Sequence, residues 1–191
     1  GYNIQLTKNG KQLFGTADFQ ISGYSNLITI GFRNSYDKST SLGLCSGAKV
    51  IVCSNLMFTG DIVKIRRHTV NILRDIDQVI KNVISHAEFN AKQLDKDMKL
   101  FQSIKITDKD ASRIIGDAFF NNNIFTSTQV NSIKKEWLHG DYSEINGINQ
   151  KCKQRSLYAL YQACTHSLKS SNTSIILDNY TRLHKYFIYL N

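Results

Sequence analysis

Residues 70–101 read VNILRDIDQVIKNVISHAEFNAKQLDKDMKLF, and their apolar spacing decides the fold class. Leu73, Ile76, Ile80, Val83 and Ala87 recur at steps of three and four. After one further step of four, Ala91, Leu94, Met98 and Phe101 resume the pattern. That period belongs to an amphipathic helix with a single stutter. Continuous over 70–101, it would run about 45–50 Å. A helix that long outruns a small sheet, so its far end needs a helical partner or a second copy of the chain.

Upstream the period is two. Asn9-Gly10 separates alternating segments at 3–8 and 11–21, the strongest short hairpin signal. A turn over 23–26 leads into a strand at 27–32, and the polar stretch 34–41 is a loop. Segments 42–45 and 48–53 flank Ser46-Gly47 and read as another hairpin. Downstream, Thr107 with Asp108 and Asp110 is a helix start. Ala111, Ile114, Ile115, Ala118 and Phe119 follow, and the run Asn121-Asn122-Asn123 ends that helix. Further helices are expected over 126–138, around Leu157 to Leu168, and on Ile176, Tyr180, Leu183, Phe187 and Leu190. A mostly antiparallel sheet of four to five strands, then a long amphipathic helix and a helical bundle, is an α+β chain. The expected organisation is one domain over 1–191, β-rich to residue 58 and helical from 62.

The 191 residues carry 24 Lys and Arg against 15 Asp and Glu, a formal charge of +9. That balance favours an anionic partner, although the abundance of Asn, Lys and Ile also fits an AT-rich coding bias. There is no proline. Cys45, Cys53, Cys152 and Cys164 show no disulfide framework, so a reducing cytosol suits them, and the expected location is the host cytoplasm or association with a virion. No apolar run is long enough to span a bilayer, and no membrane partner is expected. The chain opens on Gly1, which fits a trimmed or processed product.

Catalytic signatures are missing. There is no Gly-x-x-x-x-Gly-Lys loop, Gly-x-Gly-x-x-Gly turn, Gly-x-Ser-x-Gly elbow or His-Glu-x-x-His helix. The carboxylate pairs Asp95/Asp97 and Asp108/Asp110 suit solvated surface better than magnesium. Cys164, His166 and His184 read as a buried thiol with surface histidines rather than a zinc site, and nothing brings Cys53 to His68. No catalytic residue, metal or cofactor is assigned, and the expectation is a binding protein rather than an enzyme.

The densest informative run is Lys64, Arg66, Arg67 and His68, just before the long helix. With Arg33 and Lys49 on nearby strands, it forms a candidate phosphate-binding set. The competing reading ties Arg66 and Arg67 to Asp37 and Asp61 as structural pairs. Lys151, Lys153 and Arg155 open a helix against its dipole, a weaker sign of an anion. Tyr24, Phe32 and Tyr36 are candidates for base stacking, although strand aromatics more often belong to a core.

Three segments carry a resemblance. They are residues 33–39 (RNSYDKS), residues 47–56 (GAKVIVCSNL) with Arg67-His68-Thr69 behind them, and residues 157–169 (LYALYQACTHSLK). In order and spacing, over residues 33–187, the chain resembles the phage and plasmid proteins carrying domain of unknown function 932. Tyr158 stands where that family usually has Trp, and Gln162 where it usually has Asn. The resemblance implies a setting on phages or mobile elements and no catalytic residue. It also groups Asn34, Asp37 and Asn55 with Arg33, Arg67 and His68 in a polar constellation, either a ligand site or a hydrogen-bonded lock. The expected functions, in order, are nucleic-acid binding in recombination or strand annealing, then binding of a host or phage protein as a defence inhibitor or virion component, then an enzyme around Asn34, Asp37 and His68. A homo-oligomer is compatible with all three.

Overall fold

The computed structural model describes residues 1–7, 9–20, 27–49, 55–59, 63–64, 72–139 and 155–190, and gives no side chains for 63, 64 and 72–75. The fold is α+β. An antiparallel sheet runs in the order β1 (Tyr2–Leu6), β2 (Gln12–Phe19), β3 (Leu27–Ser35), β4 (Gly43–Lys49) and β5 (Leu56–Phe58). The short β6 (Val63–Lys64) pairs with the other half of β4, so sheet continues beyond residue 62, where helix was expected. Helices follow: α1 (Ile72–Ser103), α2 (Asp108–Phe120), α3 (Ser127–His139), α4 (Leu157–Leu168) and α5 (Ile176–Tyr189).

The first hairpin forms, with Gly10 at φ +67 and Thr7 N donating to Gln12 O at 3.0 Å. The expected second hairpin does not. Ser46-Gly47 lies inside β4, where Ser46 opposes Ile30 and Gly47 opposes both Thr29 and Phe58. Gly47 is there for packing. A Cβ on it would come 2.0 Å from Met57 O and 2.7 Å from Phe58 Cδ1. Leu56–Phe58, unmarked by any alternation, can therefore lie against β4.

Successive strand residues face opposite sides, and each side meets a helix. Ile28 packs with Ala87 and Ala91, and Leu44 with Val83, which puts α1 on one face. From the other face Gly31 abuts Phe58 and Leu177, and Arg33 reaches Asp178, which puts α5 there. The sheet is thus sandwiched over β3 and β4. The 32 residues of α1 run about 48 Å. Its far end does find a helical partner: Leu94, Met98 and Phe101 join the main core with residues of α4 and α5. Thr107 caps α2 in a reciprocal capping box with Asp110, as its sequence indicates. No described helix is long and apolar enough to cross a membrane.

Candidate functional site

The residues proposed from sequence fall into groups that the sheet keeps apart. Arg33 neighbours Asn34 and opposes Gly43, whereas Asn55 precedes Leu56, which opposes Lys49. Gly43 and Lys49 are the two ends of β4, about 20 Å apart at ~3.3 Å per residue. Asn34 and Asp37 therefore lie at one end of the sheet and Asn55 at the other. Among the described residues, Asn34 and Asp37 are thus kept apart from Asn55.

Arg33 is not a free cation. It is 4% exposed, and its guanidinium donates to Asp178 and to the carbonyl of Ser174 at the start of α5. Its Nε has no partner. It is an internal ion pair tying β3 to α5, unsuited to a phosphate at the surface. Lys49 is also engaged: its Nζ lies 2.8 Å from Asp18 Oδ2, and Thr29 Oγ1 donates to Asp18 Oδ1 at 2.8 Å. Both strand cations of the expected phosphate-binding set thus serve the sheet.

Asn34 lies within β3, opposite Leu13, so the loop expected from residue 34 begins only after Ser35, and Asp37 shapes it. Asn34 Oδ1 accepts from Ser35 N at 2.9 Å, and Asp37 Oδ1 accepts from both the amide and the hydroxyl of Ser39. The Ser39 hydroxyl, then its amide, hold the exposed Asp37 carboxyl below the usual range. This is an Asx turn, with Lys38 beside it at φ 62. Asn55 is fully buried and donates 2.8 Å to Gln162 Oε1 and 3.3 Å to Gln162 O, while its Oδ1 has no partner. Two of the segments that carry the family resemblance therefore meet, through a hydrogen-bonded lock between the sheet and α4. Phe32 is partly buried, packed beneath α1 with Leu44 and Val83, whereas Tyr36 is exposed. Of the basic run, only the backbone of Lys64 is described, paired with Gly43. Arg66, Arg67 and His68 lie outside the described residues, as do Tyr24, Cys53, Asp61, Cys152, Lys151 and Lys153. The described member of the second basic group, Arg155, pairs with Asp108 at 3.1 Å and stacks over Trp137, 4.5 Å from the ring centroid.

Sequence reasoning missed the most organised polar group. His184 Nδ1 lies 3.1 Å from Tyr161 Oη, and its Nε2 lies 3.1 Å from Asp97 Oδ2. Gln93 Nε2 donates to Asp97 Oδ1 at 2.9 Å. A proton on Nε2 satisfies the whole chain: Tyr161 donates to the ring and the ring donates to Asp97. Asp97 is thus not solvated surface, and His184 is not a surface histidine; they are 6% and 4% exposed. The array has the composition of a proton relay, but Phe101 and Phe187 pack against Tyr161, and Tyr161, His184 and Asp97 are all buried. Burial pushes the Tyr161 hydroxyl and the Cys164 thiol well above their ordinary values, so neither is an activated nucleophile. The array joins α1, α4 and α5. Positions 97, 161 and 184 offer no local spacing by which to find it. Cys45 and Cys164 are buried free thiols, as expected, and no group of metal-ligating side chains occurs among the described residues.

Compared with protein families, with curated proteins and with solved structures, the chain matches none. The resemblance to the domain of unknown function 932 proteins rests on its three segments alone.

Proposed function

We propose that this chain is a non-enzymatic nucleic-acid-binding protein of a phage or mobile element, contacting phosphates through Lys64, Arg66, Arg67 and His68. What supports the reading is where the described chain holds the two ends of that run. Lys64 is fixed in β6 against Gly43, and α1 begins eight residues later at Ile72. The cations therefore precede the N-terminus of a 32-residue helix, whose dipole adds to a positive field. The formal charge of +9 supplies the long-range attraction. Recombination or strand annealing is the proposed setting, in the host cytoplasm or with the virion.

The test is a fluorescence-anisotropy titration with single-stranded and duplex DNA at two salt concentrations. Steeply salt-dependent binding is expected, stronger for single strands. Arg66→Glu with Arg67→Glu should weaken it and lower the log–log salt slope by about two, one per lost phosphate contact. No binding by the unmodified protein at low salt, or an unchanged slope in the variant, would overturn the reading.

A second reading, a module that binds a host or phage protein, is favoured by one observation. All five residues of β1 are exposed, and Tyr2, Ile4 and Leu6 share one face of an uncharged edge strand. An open edge of this kind accepts an added strand.

A further inference from the structure

A cavity of about 350 Å³ opens between α2 and α3, over Leu160 of α4. Its volume falls within the roughly 300–1,000 Å³ of small-molecule sites. Ile115, Phe119, Val130, Ile133 and Trp137 give it apolar walls. The Trp137 wall is fixed in advance: its Nε1 donates 2.9 Å to Asp108 Oδ1, and the Arg155 guanidinium covers one ring face.

Gly116 indicates that the space is kept open. It lies within α2, where glycine costs about 1 kcal/mol relative to alanine. Nothing in its surroundings demands glycine. Its φ is not positive, and a Cβ built there meets no atom of the described residues within 4 Å. Gly15, Gly31 and Gly47 are the contrast, since each would collide at once. Gly116 lines the cavity, so the empty space beside it is the cavity itself.

Charge sets the kind of occupant. Lys109, Arg113, Gly116 and Phe120 follow the spacing of one helix edge, and the last two line the cavity, so that edge is its rim. Lys134 lines it from α3. Each carboxylate of the two helices already has partners, Asp108 among them at the Trp137 wall. Asp108 pairs with Arg155, Asp110 caps α2 with Thr107, Asp117 accepts from Asn121, Asn122 and Tyr186, and Glu136 faces His166 at 3.6 Å. Apolar walls with a cationic rim match a molecule that is apolar along its body and anionic at one end.

We propose that the α2–α3 cavity binds a small amphiphile with a hydrocarbon body and a single carboxylate, the body against Gly116 and Trp137 and the head at Lys134 and the Lys109–Arg113 edge. This site is independent of the basic run before α1. Trp137 is the chain's one tryptophan, so its emission reports occupancy directly.

The experiment titrates the full chain with dodecanoate below its micellar concentration, with dodecyltrimethylammonium and acetate in parallel. Saturable one-site binding of dodecanoate is expected, at least tenfold tighter than either comparison compound. Gly116→Leu fills the cavity with a better helix former and should reduce affinity at least tenfold without lowering Tm. Lys134→Glu with Arg113→Glu should remove the preference for the anion. Equal responses to the anionic and cationic amphiphiles would overturn the proposal, as would undiminished binding in Gly116→Leu. So would binding to phosphatidylglycerol vesicles with no response to monomeric dodecanoate, which would make the face a membrane contact.

Discussion

β4 and β1 belong to the same sheet and sit at opposite extremes of burial. Six of the seven residues of β4 are buried, whereas all five of β1 are exposed. Strand propensity ranks them the other way. β4 reads GLCSGAK, with two glycines and no β-branched or aromatic residue, while β1 reads YNIQL and alternates as a half-buried strand should. The difference teaches that β4 is small because a helix over its face and a strand at its side both close on it. α1 packs against Leu44 and donates to Ser46 from Asn90 at 2.7 Å, and β5 presses on Gly47. β1 lies beyond the helices, so its apolar face remains open.

The most severe way to break this comparison is Gly47→Ala. The added methyl meets a backbone carbonyl, which cannot turn aside as a side chain would. The expected destabilisation is at or above the upper end of the roughly 1–3 kcal/mol typical of overpacking. Chemical denaturation measures it. A loss below about 1 kcal/mol would mean that β5 moves away readily and that β4 is not clamped as described.

That clamp also explains what was legible in the sequence. α1, α2 and the β1–β2 hairpin carry local signals, a helical period, a capping box and a turn glycine, and each forms where its signal lies. Ser46-Gly47 carries a signal with two meanings, since glycine serves a turn as well as a close approach. Local reading takes the turn, but the neighbour that decides is Phe58, eleven residues further on. The candidate site fared worse for a related reason. Arg33 was legible as a cation on a strand, but its partner Asp178 is 145 residues away. The Asn55–Gln162 and Asp97–His184 links span 107 and 87 residues. No spacing rule reaches so far, so the sequence shows which groups are polar and leaves their partners unspecified.

Arg33→Ala tests the middle of the scale, on the strand that separates β4 from β2. Breaking a buried pair costs roughly 3–5 kcal/mol, and the partial exposure of Asp178 lowers the expected loss to about 2 kcal/mol. The same variant should leave the salt dependence of DNA binding unchanged, because its guanidinium faces α5. A flattened salt slope in a folded Arg33→Ala protein would return this residue to the phosphate-binding set.

The smallest effect on stability is expected at β1. Ile4 lies in the centre of the exposed face, opposite Gly15, and is 55% exposed. Ile4→Lys should shift stability by no more than about 0.5 kcal/mol, as at other surface positions. Lysine on an edge strand also discourages the approach of a second strand. If β1 is where a protein partner docks, the variant will lose the complex while keeping its denaturation midpoint. A large loss of stability would show instead that the face is covered within the chain, and the contrast with β4 would then be one of degree. Unchanged stability with an unchanged complex would place the partner elsewhere on the molecule. The stability and binding readouts separate these outcomes because β1, unlike β4, contributes little to the core.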